Sequence, residues 1–253
     1  MFFSLLSLSD ESFEFDKNDF HRRSVEKLDE LKMKICSTSG NIAAGKSTVM
    51  SKIVEKYSSN LVQVHREPVE NWMNFRGFDL LQALYNDSCR WTFAFEMNAL
   101  LSRIRNRRQI ESCAINVHER SIFSCFHVFI RHDLTEKFIN QTEYEILRDH
   151  FQYGLTNDID LSKTFILYLD TSPKTCFQRI LKRSRPSESS IDLNRLEKLN
   201  NFYEDFIEKF HLCPVKRIDG SQTPDKIFEQ VEETFQEFFL SSRTNDESCP
   251  KQI

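Results

Sequence analysis

At 253 residues, with 40% hydrophobic and 28% charged side chains, the chain is long enough for a sizeable core and lies within the range of one α/β domain. Its formal net charge of -4 argues against a nucleic-acid polymer as main partner, because binding a phosphate backbone wants a basic face. No run approaches the roughly 18 apolar residues that cross a bilayer, and the seven cysteines are scattered without zinc-like spacing, which reads as reduced thiols in an intracellular compartment.

Residues 1–31 turn polar and acidic after the first few, with Asp10, Glu11, Glu14, Asp16 and Asp19 close together. That acidity is wrong for a secretory signal or an organellar transit peptide, so the expected location is cytoplasmic, with the nucleus as alternative. A flexible extension with one short helix at 25–31 is expected here. Residues 32–37 form the first expected strand. It runs into Gly40-Asn41-Ile42-Ala43-Ala44-Gly45-Lys46-Ser47-Thr48, which fits the phosphate-binding pattern G-x-x-x-x-G-K-[ST]. Backbone NH groups can wrap phosphate oxygens only where the chain turns tightly, hence glycine at both ends. Lys46 supplies charge to the outer phosphates and Ser47 a hydroxyl to Mg2+. The helix expected at 46–58 aims its unpaired NH groups at the same anion.

A second strand at 61–66, alternating around Val62 and Val64, ends in Glu67-Pro68-Val69. Open α/β sheets bind ligands at the carboxyl ends of their strands, so topology brings Glu67 towards the loop. A short helix at 79–85 and a long one at 88–108 follow. The strand at 113–117 ends in a second charged cluster, His118-Glu119-Arg120-Ser121. Helices at 121–131 and 140–153 lead to a strand at 164–169, and Pro173 suits the first turn of a helix at 173–183. After a basic loop come a helix at 192–210, a strand at 215–218, a helix at 223–239 and a disordered tail from 241. Strands alternating with helices predict one parallel sheet with helices on both faces, a single domain over 32–240.

Glu67 is the candidate general base, since a glutamate is ionised at neutral pH and can accept a hydroxyl proton. Glu119 can face Mg2+, and Arg120 can hold Glu67 while spreading charge onto a transferring phosphoryl group. Arg179, Arg183 and Arg185 form a basic patch suited to a lid over phosphates. Trp72, Tyr85, Phe95 and Phe129 can wall a flat ring. His118, His127 and His132 show no ligand pattern and are expected to be structural.

At Glu67-Pro68-Val69-Glu70-Asn71-Trp72 and Glu119-Arg120-Ser121-Ile122-Phe123-Ser124 the chain resembles the deoxyribonucleoside kinase family. The resemblance runs from about 34 to about 206 and includes Leu80-Leu81-Gln82-Ala83-Leu84-Tyr85, Leu101-Ser102-Arg103-Ile104-Arg105 and Leu169-Asp170-Thr171-Ser172-Pro173. It implies a three-layer, thymidylate-kinase-like P-loop NTPase fold and a homodimer. It also implies Mg2+-dependent transfer of the γ-phosphoryl of ATP to a deoxynucleoside 5'-hydroxyl in nucleotide salvage. By position it places the base on Glu67, Mg2+ contacts on Ser47 and Glu119, and the active-site arginine on Arg120. Sugar 3'-hydroxyl contacts fall on Tyr85 and Glu188, lid arginines on Arg183 and Arg185, and aromatics around the base on Trp72 and Phe129.

The departure is Glu96, where the family usually has a glutamine that reads the base edge with one donor and one acceptor. An ionised glutamate only accepts. Positions 96, 99 and 103 share a helical face, so Glu96, Ala99 and Arg103 should project into one pocket. A carboxylate plus an arginine fits guanine better than adenine or cytosine, so deoxyguanosine is the expected favoured substrate. Two alternatives stand beside it: a protonated Glu96 mimicking glutamine, or a Glu96–Arg103 pair. Cys125 is a second departure, since purine-using relatives often carry an aspartate there as partner for Arg103. A catalytically silent relative and a nucleoside monophosphate kinase are the rival functions.

Overall fold

Residue pattern first determines the central strand. Thr164–Asp170 (β4) is apolar almost throughout, the mark of a parallel strand covered on both faces. Phe165, Leu167 and Leu169 point to one core and Ile166 and Tyr168 to the other, the two-residue period of a strand. The structure is a computed structural model that describes residues 34–59, 61–108, 115–158 and 161–240. The expected extension at 1–31, its helix at 25–31 and the tail from 241 lie outside the described residues, as do Cys113 and Cys249.

Around β4 are Lys34–Ser39 (β1), Val62–His65 (β2), Ile115–Glu119 (β3) and Val215–Asp219 (β5). They form a five-stranded sheet in the order β2-β3-β1-β4-β5, every neighbouring pair parallel. Parallel neighbours need crossovers, which the helices supply. On one face Lys46–Lys56 (α1) and Pro224–Leu240 (α10) bury Val49, Met50, Ile53, Ile227, Val231 and Phe235. On the other, Ser88–Arg108 (α4), Gln141–Asp158 (α7) and Leu193–Lys209 (α9) bury Leu100, Ile104, Leu147, Phe151, Leu199 and Tyr203. Pro173–Arg183 (α8) packs beside α9 through Cys176 and Ile180. This is the expected single parallel sheet between helical layers.

Register sets the site. Thr38 pairs with Glu119 and Ser39 with Tyr168, so the loop after β1 and the Arg120 turn after β3 leave the sheet side by side. The strand expected to end at 37 continues to Ser39, and that expected to end at 117 continues to Glu119. Ladder pairing carries both strands past their apolar stretches into polar residues.

Other boundaries also moved. Pro68 caps an unanticipated helix, Val69–Met73 (α2), before Leu80–Asn86 (α3). The helix expected at 121–131 is Ile122–Ser124 (α5), a π-helical stretch Cys125–Ile130 and Arg131–Thr135 (α6). Helix α7 continues through Gly154 instead of stopping at 153. A Cβ at Gly154 would lie 2.7 Å from Ile104 Cδ1, so the glycine permits close approach of α4 and is no helix stop.

Candidate active site

The loop between β1 and α1 is a backbone cradle. Gly40 has φ 148° and Gly45 φ 113°, and a Cβ at Gly40 would lie 2.8 Å from the Leu169 carbonyl oxygen, so neither position suits a larger residue. Lys46, 5% exposed, donates from Nζ to the carbonyls of Gly40 at 3.1 Å and Asn41 at 2.9 Å. Burial, then the Arg120 charge, lowers its pKa to about 7, with Glu67 and Glu119 opposing. Ser47 Oγ donates to Glu119 Oε1 at 2.5 Å. A hydroxyl beside a carboxylate at the mouth of a phosphate loop is a hard-oxygen pair of the kind that suits Mg2+, which takes few protein ligands besides phosphates and water. Among the described residues no three His, Cys, Asp or Glu side chains cluster as a metal cage.

Glu67 stands where β2 meets this loop. Its Oε1 accepts from Arg120 Nε at 2.8 Å and also from Arg103 Nη2. Burial pushes its carboxyl up, but Arg120, Arg103 and Lys46 outweigh that and hold it down to about 2. Arg120 has φ 67°, an uncommon left-handed backbone for a residue with a side chain. From there Nη1 reaches Tyr203 Oη at 2.6 Å and the Gly40 carbonyl at 3.2 Å, and the guanidinium lies 4.4 Å from the Phe129 ring centre.

Beyond Glu67 the site turns apolar. Trp72 meets Phe95 edge-on at 5.4 Å, and Leu81, Ala99, Cys125 and Phe129 help line the same space. Glu96 is 4% exposed there and accepts from the Cys125 thiol at 3.6 Å. Burial, then the Asp133 carboxyl, raises it to about 8, with Arg103 opposing. Loop and apolar end share one cavity of about 900 Å3. One end thus suits a triphosphate, the other a flat ring, and an ionised carboxylate sits between.

The matching family agrees with that division. A family model described as "Deoxynucleoside kinase" matches residues 36–240. The chain belongs to the deoxynucleoside kinase family. It is 30% identical over 231 residues to "Thymidine kinase 2, mitochondrial" of Homo sapiens, covering 89% of this chain and 84% of that one. It is 34% identical over 198 residues to "Deoxycytidine kinase 2" of Gallus gallus, covering 68% and 72%. Human "Deoxycytidine kinase" is 28% identical over 246 residues, covering 82% and 91%. The chain is thus an ATP-dependent kinase of this family.

In this deoxynucleoside kinase the cavity collects most residues singled out from sequence: Lys46, Ser47, Thr48, Glu67, Trp72, Tyr85, Glu96, Arg103, Glu119, Arg120, Phe129, Arg183, Arg185 and Glu188. Ile42, Ala43 and Gly45 line it too, whereas Gly40, Asn41 and Ala44 build the loop from behind. Asn41 Nδ2 ties the loop to the Leu196 carbonyl of α9 at 2.8 Å. The Ala44 carbonyl accepts from Thr171 at 3.0 Å and Arg179 at 2.9 Å. Arg179, expected in the lid, therefore braces the loop.

Glu188, expected at the sugar, here accepts from Arg183 Nε at 2.7 Å and Nη2 at 2.6 Å, and from Arg185 at 3.4 Å. The alternative Glu96–Arg103 pair does not form, because the Arg103 fork is turned to Glu67 and to the Ala99 carbonyl at 2.9 Å. Arg195, 5.4 Å from the Tyr85 ring centre, and Arg66 line the cavity without having been singled out. Arg66 directly precedes Glu67 and Arg195 lies in the first turn of α9, but neither carries a motif of its own, so only the fold picks them out. The three histidines are packed: His118 stacks on His65 at 4.4 Å, His127 on Phe206 at 5.5 Å, and His132 Nδ1 lies 2.8 Å from Asp133 Oδ1.

Proposed function

We propose that this kinase transfers the γ-phosphoryl group of ATP to the 5'-hydroxyl of a deoxynucleoside, with Mg2+ and as a homodimer, and that deoxyguanosine is a favoured acceptor. The observation that carries the reading is Glu67, an ionised carboxylate held by two guanidiniums between a phosphate loop and an apolar pocket.

The acceptor hydroxyl approaches Glu67, which takes its proton as the oxygen attacks the γ-phosphorus and the bond from that phosphorus to the β–γ bridging oxygen breaks, releasing ADP. Arg120 keeps the carboxylate aimed and, with Lys46, offsets charge on the phosphoryl oxygens. Ser47 and Glu119 would hold Mg2+, which when bound would supply charge withdrawal from the phosphate oxygens. Arg183, at the end of α8, and Arg185, just after it, line the cavity and close over the phosphates. Trp72 and Phe129 sandwich the base, and Tyr85 and Glu188 face the sugar.

Support for deoxyguanosine lies in Glu96 at the apolar end and in Ala99, whose small side chain leaves room for a purine. Guanine carries a ring NH beside both an amine and a carbonyl, so it satisfies a carboxyl group in either protonation state. Thymidine and deoxycytidine, named in the relatives, are the competing acceptors. The homodimer is supported by Ile146 and Tyr153, apolar side chains seven residues apart on α7 and 39% and 57% exposed.

The test is incubation with ATP, Mg2+ and the four natural deoxynucleosides, beside Glu67→Ala. Turnover with the highest kcat/KM for deoxyguanosine is expected. A cytidine or thymidine preference overturns the base assignment, and no turnover on any nucleoside overturns the kinase reading in favour of a silent scaffold.

A further inference from the structure

Glu96 occupies the inner face of α4, 4% exposed at the lining of the cavity. The groups facing it come from four elements: Arg103 on its own helix, Cys125 from the π-helical stretch, Arg120 from the end of β3, and Asp133 from α6. None is a counter-ion in contact with it. Arg103 donates to Glu67, the Ala99 carbonyl and Cys125 Sγ and Arg120 to Glu67, Gly40 and Tyr203, neither of them to Glu96, and the Asp133 carboxyl raises the cost of a charge there. What Glu96 does have is one thiol donor, Cys125 Sγ at 3.6 Å. A buried carboxyl with a weak donor and a like-charged neighbour is relieved by taking up a proton, not by finding a partner. The pKa of about 8 agrees with that geometry.

We propose that Glu96 meets the nucleobase as a neutral carboxylic acid, offering one hydrogen-bond donor and one acceptor, and that its ionisation changes which bases the kinase accepts. This rests on the apolar end of the cavity being the base site. The neutral acid suits every base with an acceptor beside a donor: the amino group and ring nitrogen of adenine or cytosine, the ring NH and carbonyl of thymine or guanine. The carboxylate, which only accepts, faces the ring nitrogen of adenine or cytosine with no proton to offer. Guanine alone keeps two donors, its ring NH and exocyclic amine, for the ionised form. Base choice is therefore broad while Glu96 is protonated and narrows to guanine as the proton leaves.

The experiment measures kcat/KM for deoxyguanosine and deoxycytidine on the full chain between about pH 6 and about pH 8.5, beside Glu96→Gln. Ionisations shared by both substrates, such as that of Lys46, cancel in the ratio. The expected ratio, deoxyguanosine over deoxycytidine, is level below about pH 7 and climbs towards tenfold per pH unit above about 8, while Glu96→Gln stays level. A level ratio in the unaltered chain, or the same climb in Glu96→Gln, overturns the inference while leaving a kinase that turns over nucleosides.

Infrared difference spectra between the unaltered chain and Glu96→Gln give a readout independent of turnover. A protonated-carboxyl band belonging to Glu96 is expected near pH 7 and should fade as pH rises. Its absence near pH 7 overturns the inference even if no nucleoside is phosphorylated.

Discussion

Arg120 reaches Glu67 with Nε at 2.8 Å from Oε1 while its Nη1 lies 3.2 Å from the Gly40 carbonyl. One guanidinium thus joins the proposed base to the first residue of the phosphate loop, across a strand junction. The left-handed backbone at Arg120 aims the side chain back over the sheet edge, and strain of this kind persists only where surrounding structure over-determines it. Donor and acceptor ends of the reaction are consequently held by one rigid element.

Replacing that carboxylate keeps its shape but removes the proton acceptor. Glu67→Gln should lower kcat by roughly a hundred- to ten-thousandfold, the usual worth of a positioned general base, with KM for ATP little changed. Steady-state kinetics in ATP and in nucleoside separate the two. A variant retaining kcat within a few-fold would remove Glu67 from the chemistry.

Glu96 should leave a signature in stability. Its folded pKa is raised from 4.5 to about 8, so the folded state holds a proton that the unfolded chain releases. Stability is therefore full below about pH 4.5 and declines as pH rises towards 8, by on the order of 3 kcal/mol at pH 7. Glu96→Gln, which cannot ionise, should melt several degrees higher than the unaltered chain at pH 8 and close to it at pH 5. Thermal melts across that range check this, and a gap that does not widen with pH would refute it.

At Gly40 two obstacles coincide: φ of 148° and a Cβ position 2.8 Å from the Leu169 carbonyl oxygen. Gly40→Ala should cost on the order of 1–3 kcal/mol in folding and weaken ATP binding at least tenfold, since Lys46 Nζ is oriented by the Gly40 carbonyl. Titration with ATP and a denaturant melt would show both losses together. A stable variant with normal ATP affinity would contradict the cradle described above.

Arg183 and Glu188 form a two-pronged pair, with Arg185 as a third contact. If the pair positions the lid, Arg183→Ala and Glu188→Ala should not add. A double-mutant cycle on kcat/KM for ATP is expected to give a coupling of about 1 kcal/mol or more. Additive losses would mean that the Arg183–Glu188 pair does not position the lid.

The phosphate loop was legible in the residues because its parts are contiguous. The glycines that allow the turn and the lysine and serine suited to phosphate and metal lie within nine positions, with the helix starting among them, and backbone conformation at that scale depends on neighbouring residue types. The alternation of strands and helices, and Glu67 at a strand end, were legible for the same reason. Strand limits were less so, because Ser39 and Glu119 belong to strands only through their ladder partners.

Partner choice and charge state lay beyond the sequence. Arg103 stands 36 positions from Glu67 and shares a helical face with Glu96, with a pair between them as one alternative, yet the fold sends its guanidinium across the cavity. Glu188 meets two arginines, and Arg195 enters the site with no motif to mark it. Amino-acid order alone determined which chemistry this chain can carry, since loop, base and arginines are each written in it. Tertiary structure decided in which direction each carboxyl is pushed, Glu67 down and Glu96 up: they are the same residue type, and only burial and the guanidiniums in contact, set by sheet and helix packing, tell them apart.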